Sequence, residues 1–241
     1  MTTPWPSAVL FDLDGTLIDS VPDITAAVAE LLATEGLPQL DEAVVRRLVG
    51  RGMPNLVAGA FATSGRALDT KAHTAMVERM MAIYPRHLAG RTSLMPGTLA
   101  ALDTLAARGC RLAVVTNKPQ AFCVPVLQHV GLQHRFDLVL GDQPLTRTLR
   151  PKPAPDMLLF ALERLETATS EAAMVGDSGN DIESGRAAGM ATIAVRGGYT
   201  SVPLEEFHPS RVVETLAELP AALAEVAASA WAGRGQRQQP A

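Results

Sequence analysis

The chain is poor in cysteine, lysine and aromatic residues. It has two cysteines in 241 residues, Cys110 and Cys123. That number excludes a disulfide-built scaffold, and their spacing fits no zinc motif. A reduced compartment is the expectation. Lysine occurs only as Lys71, Lys118 and Lys152, and the formal net charge is −4. The chain lacks the basic balance that attracts nucleic acid or an acidic membrane surface, so neither is expected as a partner. Aromatics make up 4% of the chain, which leaves Ala, Val and Leu to build the core. No stretch is apolar for long enough to span a bilayer. Met1 to Ser7 lacks the basic segment and apolar run of a secretory signal, so a soluble cytoplasmic protein is expected. The five histidines, at 73, 87, 129, 134 and 208, show no ligand spacing and are given no metal role.

What is present suffices for a sizeable core, since 47% of residues are hydrophobic. Short apolar runs closed by turn residues recur along the chain, as buried parallel strands require. They are Ala8 to Phe11, Arg111 to Val115, Asp137 to Leu140, Ala172 to Val175 and Ala191 to Val195. Between them lie helical patterns at Leu99 to Arg108, Gln120 to Val130, Pro155 to Leu165 and Asp181 to Ala188. Strands alternating with helices predict an α/β fold around a parallel sheet. One stretch breaks the alternation. From about Leu17 to His87 the patterns are helical, at Ile24 to Glu35, Glu42 to Val49, Asn55 to Thr63 and Thr70 to Leu88, with no strand. This predicts a helical insertion that returns to the sheet near Leu94-Met95-Pro96-Gly97. The small and polar residues of 228–241 are expected to form a disordered tail.

Polar residues close the apolar runs. Ligands of open parallel sheets bind beyond the carboxyl ends of the strands. Asp12, Asp14, Thr116, Asn117, Asp177 and Asp181 all fall at such ends or just after them. Four segments resemble, in order and spacing, the signature of the haloacid-dehalogenase-like phosphohydrolases. They are Val9-Leu-Phe-Asp-Leu-Asp-Gly-Thr-Leu17, Val114-Val-Thr-Asn117, Arg150-Pro-Lys-Pro-Ala-Pro-Asp156 and Val175-Gly-Asp-Ser-Gly-Asn-Asp181. The resemblance covers roughly residues 8–220. It implies a Rossmann-like catalytic core at 1–16 and 91–227, with the insertion, 17–90, as a helical cap.

The resemblance also implies roles. Asp12 would attack phosphorus and form an aspartyl-phosphate, splitting one hard displacement into two. Asp14 would protonate the leaving oxygen and later accept a proton from water. Thr116 and Asn117 would bind the phosphate, and Lys152 would set a positive charge against it. Mg²⁺ would be held by Asp12, the Asp14 backbone carbonyl and Asp177, bridging two anions that otherwise repel. Asp181 would act from behind, through water or by fixing Lys152, and could also start a helix. The substrate would be a small phosphorylated metabolite and the protein a monomer or homodimer.

Plainer readings stand beside these. Asp-Leu-Asp-Gly is also a turn sequence, and Thr116-Asn117 also a simple strand end. Lys118 reads as an exposed side chain, with at most an electrostatic role near the site's mouth. Arg51, between Gly50 and Gly52, reads as a solvated turn or as a cap loop whose arginine pairs with a substrate carboxylate. Within the family, Asp14 argues against a dehalogenase. The single lysine of the cap, Lys71, lies in a helical pattern and argues against a phosphonatase. The chain is most similar to phosphoglycolate phosphatases, through Phe11 to Ser20, Val49-Gly-Arg-Gly52 and Val115-Thr-Asn-Lys-Pro119. The rivals are a sugar-phosphate phosphatase, such as one for N-acetylmuramic acid 6-phosphate, a phosphomutase, and a non-catalytic binding module.

Overall fold

The computed structural model describes residues 5–146 and 148–231. Five strands predicted from apolar runs form the greater part of a six-stranded parallel sheet. They are β1 (Ala8–Phe11), β4 (Arg111–Pro119), β5 (Leu138–Asp142), β6 (Ala172–Gly176) and β7 (Ala191–Val195). The sixth, β8 (Arg211–Val213), is too short to show a period in sequence. The strand order is β5-β4-β1-β6-β7-β8. The chain starts at the centre, builds one half of the sheet, then crosses back over β1 to build the other. β1 is therefore the point where the winding direction reverses, the place where such sheets leave a crevice.

Successive side chains of a strand face opposite ways. In β1, Val9 and Phe11 pack with residues of α5 (Thr98–Ala107), α6 (Gln120–His129) and α9 (Leu219–Trp231). Ala8 and Leu10 face the other layer, with α7 (Asp156–Arg164). α8 (Gly179–Ala187) packs on β6 and β7. Both faces of the sheet are thus covered, which is why its strands read as continuous apolar runs. No helix among the described residues is long and apolar enough to cross a membrane.

Between β1 and α5 the chain adds four helices: α1 (Val21–Thr34), α2 (Glu42–Arg46), α3 (Met53–Thr63) and α4 (Thr70–Ile83). They bury their own cluster, including Val28, Leu31, Phe61 and Met80. α4 is shorter than the predicted Thr70 to Leu88. It gives way to a 3-10 turn, Tyr84–His87, where Pro85 cannot donate a backbone hydrogen bond. Phe122 of α6 joins the same cluster and meets Tyr84 edge to face, 4.9 Å between ring centres. This contact seats the helices over the sheet.

Two expectations need correction. The stretch read as free of strands contains β2 (Ile18–Asp19), which pairs antiparallel with β3 (Ser93–Leu94). The chain segments leaving and re-entering the sheet thus form a two-stranded ribbon. The helix α9 continues to Trp231, so 228–231 are helical rather than part of a tail. The remainder of the expected tail, 232–241, lies outside the described residues.

Candidate active site

Three adjacent strands deliver the site. Asp12 follows β1, Thr116 lies in β4, and Asp177 follows β6. Because β1 sits between β4 and β6, their carboxyl ends converge although the residues are distant in sequence. The turn after β1 needs Gly15. Its φ is +92°, and a Cβ there would lie 2.6 Å from Asp177 Oδ2. Gly176 is equally constrained, since a Cβ would strike the Asp181 carboxylate.

Asp12, Asp177 and Asp181 are all buried and offer carboxylate oxygens within 4.8 Å of one another. Lys152 is set among them. Its ammonium lies 2.8 Å from Asp12 Oδ1 and donates to Asp181 Oδ1 at 2.6 Å. Burial opposes its charge, but Asp12 and Asp181 outweigh burial and raise its pKa. Asp12 Oδ1 is paired in charge but has no well-aligned hydrogen bond. Asp177 accepts from the Thr16 hydroxyl at 3.0 Å and from the Tyr199 amide at 2.7 Å. Burial first, then Asp181 and Asp12, push its carboxyl up to about 8. Burial likewise raises Asp181, against the pull of Lys152.

Asp181 is both a helix cap and an anchor. It occupies the first turn of α8 and accepts from the Ser178 amide at 3.1 Å and hydroxyl at 2.6 Å. Its other oxygen holds Lys152. Asn117 holds the same lysine's backbone. Its side chain accepts from Lys152 N at 2.9 Å and donates to Lys152 O at 2.9 Å. Pro151 and Pro153 flank Lys152 and restrict the loop further, and the Lys152–Pro153 bond is cis.

Asp14 points elsewhere. Its carboxylate meets the Lys118 ammonium at 3.1 Å on both oxygens and accepts from the Ser20 hydroxyl at 2.5 Å. Lys118 also donates to the Tyr84 hydroxyl at 2.7 Å. The expectation of an exposed Lys118 is therefore wrong, as its side chain is 2% exposed. Burial opposes its charge, but Asp14 and Tyr84 outweigh burial and raise its pKa. Burial also pushes the Tyr84 hydroxyl up to about 12. β4 runs on through Pro119, with an irregularity between Thr116 and Pro119, so Lys118 stays within the buried strand instead of emerging into solvent.

Arg51 is not brought into this group. It is exposed and lines an outer cleft with Arg47, Asn180 and Tyr199. Its neighbour Gly50 reaches further in, where its carbonyl accepts from Asn117 Nδ2 at 3.0 Å and Asn180 Nδ2 at 3.1 Å. Tyr84, Tyr199, Ser20, Thr16 and Asn180 were not singled out in sequence. Each earns its place through a partner distant in the chain or through a turn.

The sequence profile of the haloacid dehalogenase-like hydrolases matches residues 9–195. The chain belongs to that family. Among curated relatives, the phosphoglycolate phosphatase of Rhodospirillum rubrum is 42% identical over 219 residues, 89% of each chain. That of Haemophilus influenzae is 36% identical, covering 87% of this chain and 94% of its own. A crystal structure of a predicted phosphoglycolate phosphatase from Haemophilus somnus aligns with a TM-score of 0.80 at 29% identity. It covers 92% of this chain and 98% of its own. Membership makes the chain a hydrolase.

The residues present fit a hard divalent cation. Three buried carboxylates converge around one lysine, every donor is oxygen, and Asp12 Oδ1 lacks a directed donor. Burial, and then the neighbouring Asp181 and Asp12, disfavour the ionised Asp177 carboxylate.

Proposed function

We propose that this hydrolase is a cytoplasmic, Mg²⁺-dependent phosphatase of small phosphate monoesters, with 2-phosphoglycolate as substrate and Asp12 as nucleophile. One observation carries the chemistry. A buried lysine and three buried carboxylates meet at the carboxyl ends of the central strands. The relatives that share most of this chain's length, being phosphoglycolate phosphatases, support the substrate. The two cysteines, both free and buried, suit a reducing compartment.

In this reading Asp12 attacks phosphorus, the bond to the leaving oxygen breaks, and an aspartyl-phosphate forms. Asp14 gives its proton to the departing oxygen. Water then attacks phosphorus, Asp14 takes the water's proton, and the bond to Asp12 breaks to release phosphate. Lys152 and Thr116 hold the phosphoryl oxygens on which charge gathers. Asp181 and Asn117 hold Lys152 in place, one by its ammonium and one by its backbone. Asp12, the Asp14 carbonyl and Asp177 would hold Mg²⁺, which would supply the charge neutralisation that two anions need to meet. Residues 17–90 act as a cap that closes over 1–16 and 91–227 and excludes bulk water.

The test is phosphate release from 2-phosphoglycolate, sugar phosphates and nucleotides, with and without Mg²⁺. Metal-dependent release that favours 2-phosphoglycolate is expected. Preference for another ester would move the substrate and keep the chemistry. No release from any ester would sink the reading.

A further inference from the structure

We propose that Lys118 recognises a carboxylate on the substrate, and that it sets a preference for phosphate esters with a second anion beside the leaving oxygen. This rests on the phosphatase reading above. The cavity between the helical insertion and the strand ends has an apolar wall of Ile24, Val49, Met53, Leu56 and Met80. Lys118 is the one cation among the residues that line it. An ammonium facing such a wall is costly to keep unless its charge is answered. Arg51, which the sequence offers either as a solvated turn or as a carboxylate partner, lines the outer cleft.

The position of Lys118 matches the chemistry of the ester. Its ammonium is 3.1 Å from both oxygens of Asp14, the group assigned to meet the leaving oxygen. In 2-phosphoglycolate a single methylene joins that oxygen to the carboxylate. A carboxylate so placed falls within reach of Lys118. Its three donors go to the two Asp14 oxygens and to Tyr84, so the newcomer takes one of the two given to Asp14, which keeps the other and Ser20. The Tyr84 hydroxyl accepts from Lys118 at 2.7 Å, and its own proton can turn to the same carboxylate. Positioning Asp14 alone does not call for a buried cation, because Ser20 already donates to it at 2.5 Å.

The experiment compares kcat/KM for 2-phosphoglycolate with that for ethyl phosphate, in which a methyl replaces the carboxylate. Wild type, Lys118→Met, Lys118→Arg and Tyr84→Phe are measured in Mg²⁺. Wild type is expected to favour 2-phosphoglycolate. Lys118→Met lowers the ratio of the two values by about 30-fold or more, the scale of losing one partner of a buried charge pair. Lys118→Arg recovers part of the ratio, and Tyr84→Phe lowers it by a smaller factor. A general injury to Asp14 or to folding lowers both substrates together and leaves the ratio alone. An unchanged ratio in Lys118→Met overturns the proposal. If that variant does not fold, an unchanged ratio in Tyr84→Phe does so. A wild type indifferent to the carboxylate overturns it too, while leaving the phosphatase reading intact. Only a wild type that releases phosphate from no ester removes that reading as well.

Discussion

Lys152 and Lys118 are two of three lysines in the chain, and each is buried against a different aspartate. Lys152 faces Asp12 and Asp181, and in the proposed reaction it meets the phosphoryl group. Replacing it with alanine removes a preorganised charge and is expected to lower kcat by about 10²–10³. Steady-state kinetics with saturating metal would check this, and a loss below tenfold would contradict the role. In the proposed reaction Asp14 serves the leaving oxygen. Asp14→Asn should slow alkyl phosphates strongly but p-nitrophenyl phosphate much less, because a nitrophenolate departs without a proton. Equal losses on both would remove the acid role from Asp14. At this scale the sequence showed the groups that end strands and carry the family signature: Asp12, Asp14, Thr116, Lys152, Asp177 and Asp181. It hid Tyr84 and Tyr199. Their partners lie 34 residues away for Tyr84, at Lys118, and 180 away for Tyr199, at Asp19, and no local pattern marks such a pair. It misread Lys118 because a charged residue after a strand was taken to face solvent, while the strand in fact continues.

Among the elements, long buried ones were legible and short ones were not. β1, β4, β6 and β7 are continuous apolar runs because helices cover both faces of the sheet. β2 and β3 have two residues each, too few for any alternation, and depend on pairing across the whole insertion. The joint beside them is held by Asp23. Its buried carboxylate accepts from the Arg91 amide at 3.0 and 2.9 Å and from the Thr92 hydroxyl at 2.7 Å. Asp23→Ala strands these donors and is expected to cost about 1–3 kcal/mol. Urea unfolding should show a lower midpoint with an unchanged slope. An unchanged midpoint would mean that water serves the joint equally well.

For the molecule as a whole, the sheet's reversal at β1 brings the acids together, and the cost is a crowded negative site. The sign of the pH effect follows from Asp177. Its folded pKa, about 8, lies above the ordinary carboxylate value, so its contribution to stability is fully present below about 4. That contribution is lost as pH rises towards 8. A cation requires the ionised form and competes with the proton. Adding Mg²⁺ should therefore raise Tm more at pH 8 than at pH 6, as thermal unfolding would show. A larger rise at pH 6 would contradict the assignment of Asp177 as a ligand. The insertion is latched to the sheet from several sides. Arg46 lies 5.1 Å from the centre of the Tyr199 ring, and the Gly50 carbonyl accepts from both Asn117 and Asn180. These contacts frame the site in which Asp12 is the proposed nucleophile. The direct measurement is phosphate release from 2-phosphoglycolate by wild type and Asp12→Asn, side by side in Mg²⁺, with circular dichroism to match their folds. Wild type is expected to turn over, and an equally folded variant to release nothing above background. Comparable turnover by the two would contradict Asp12 as the nucleophile.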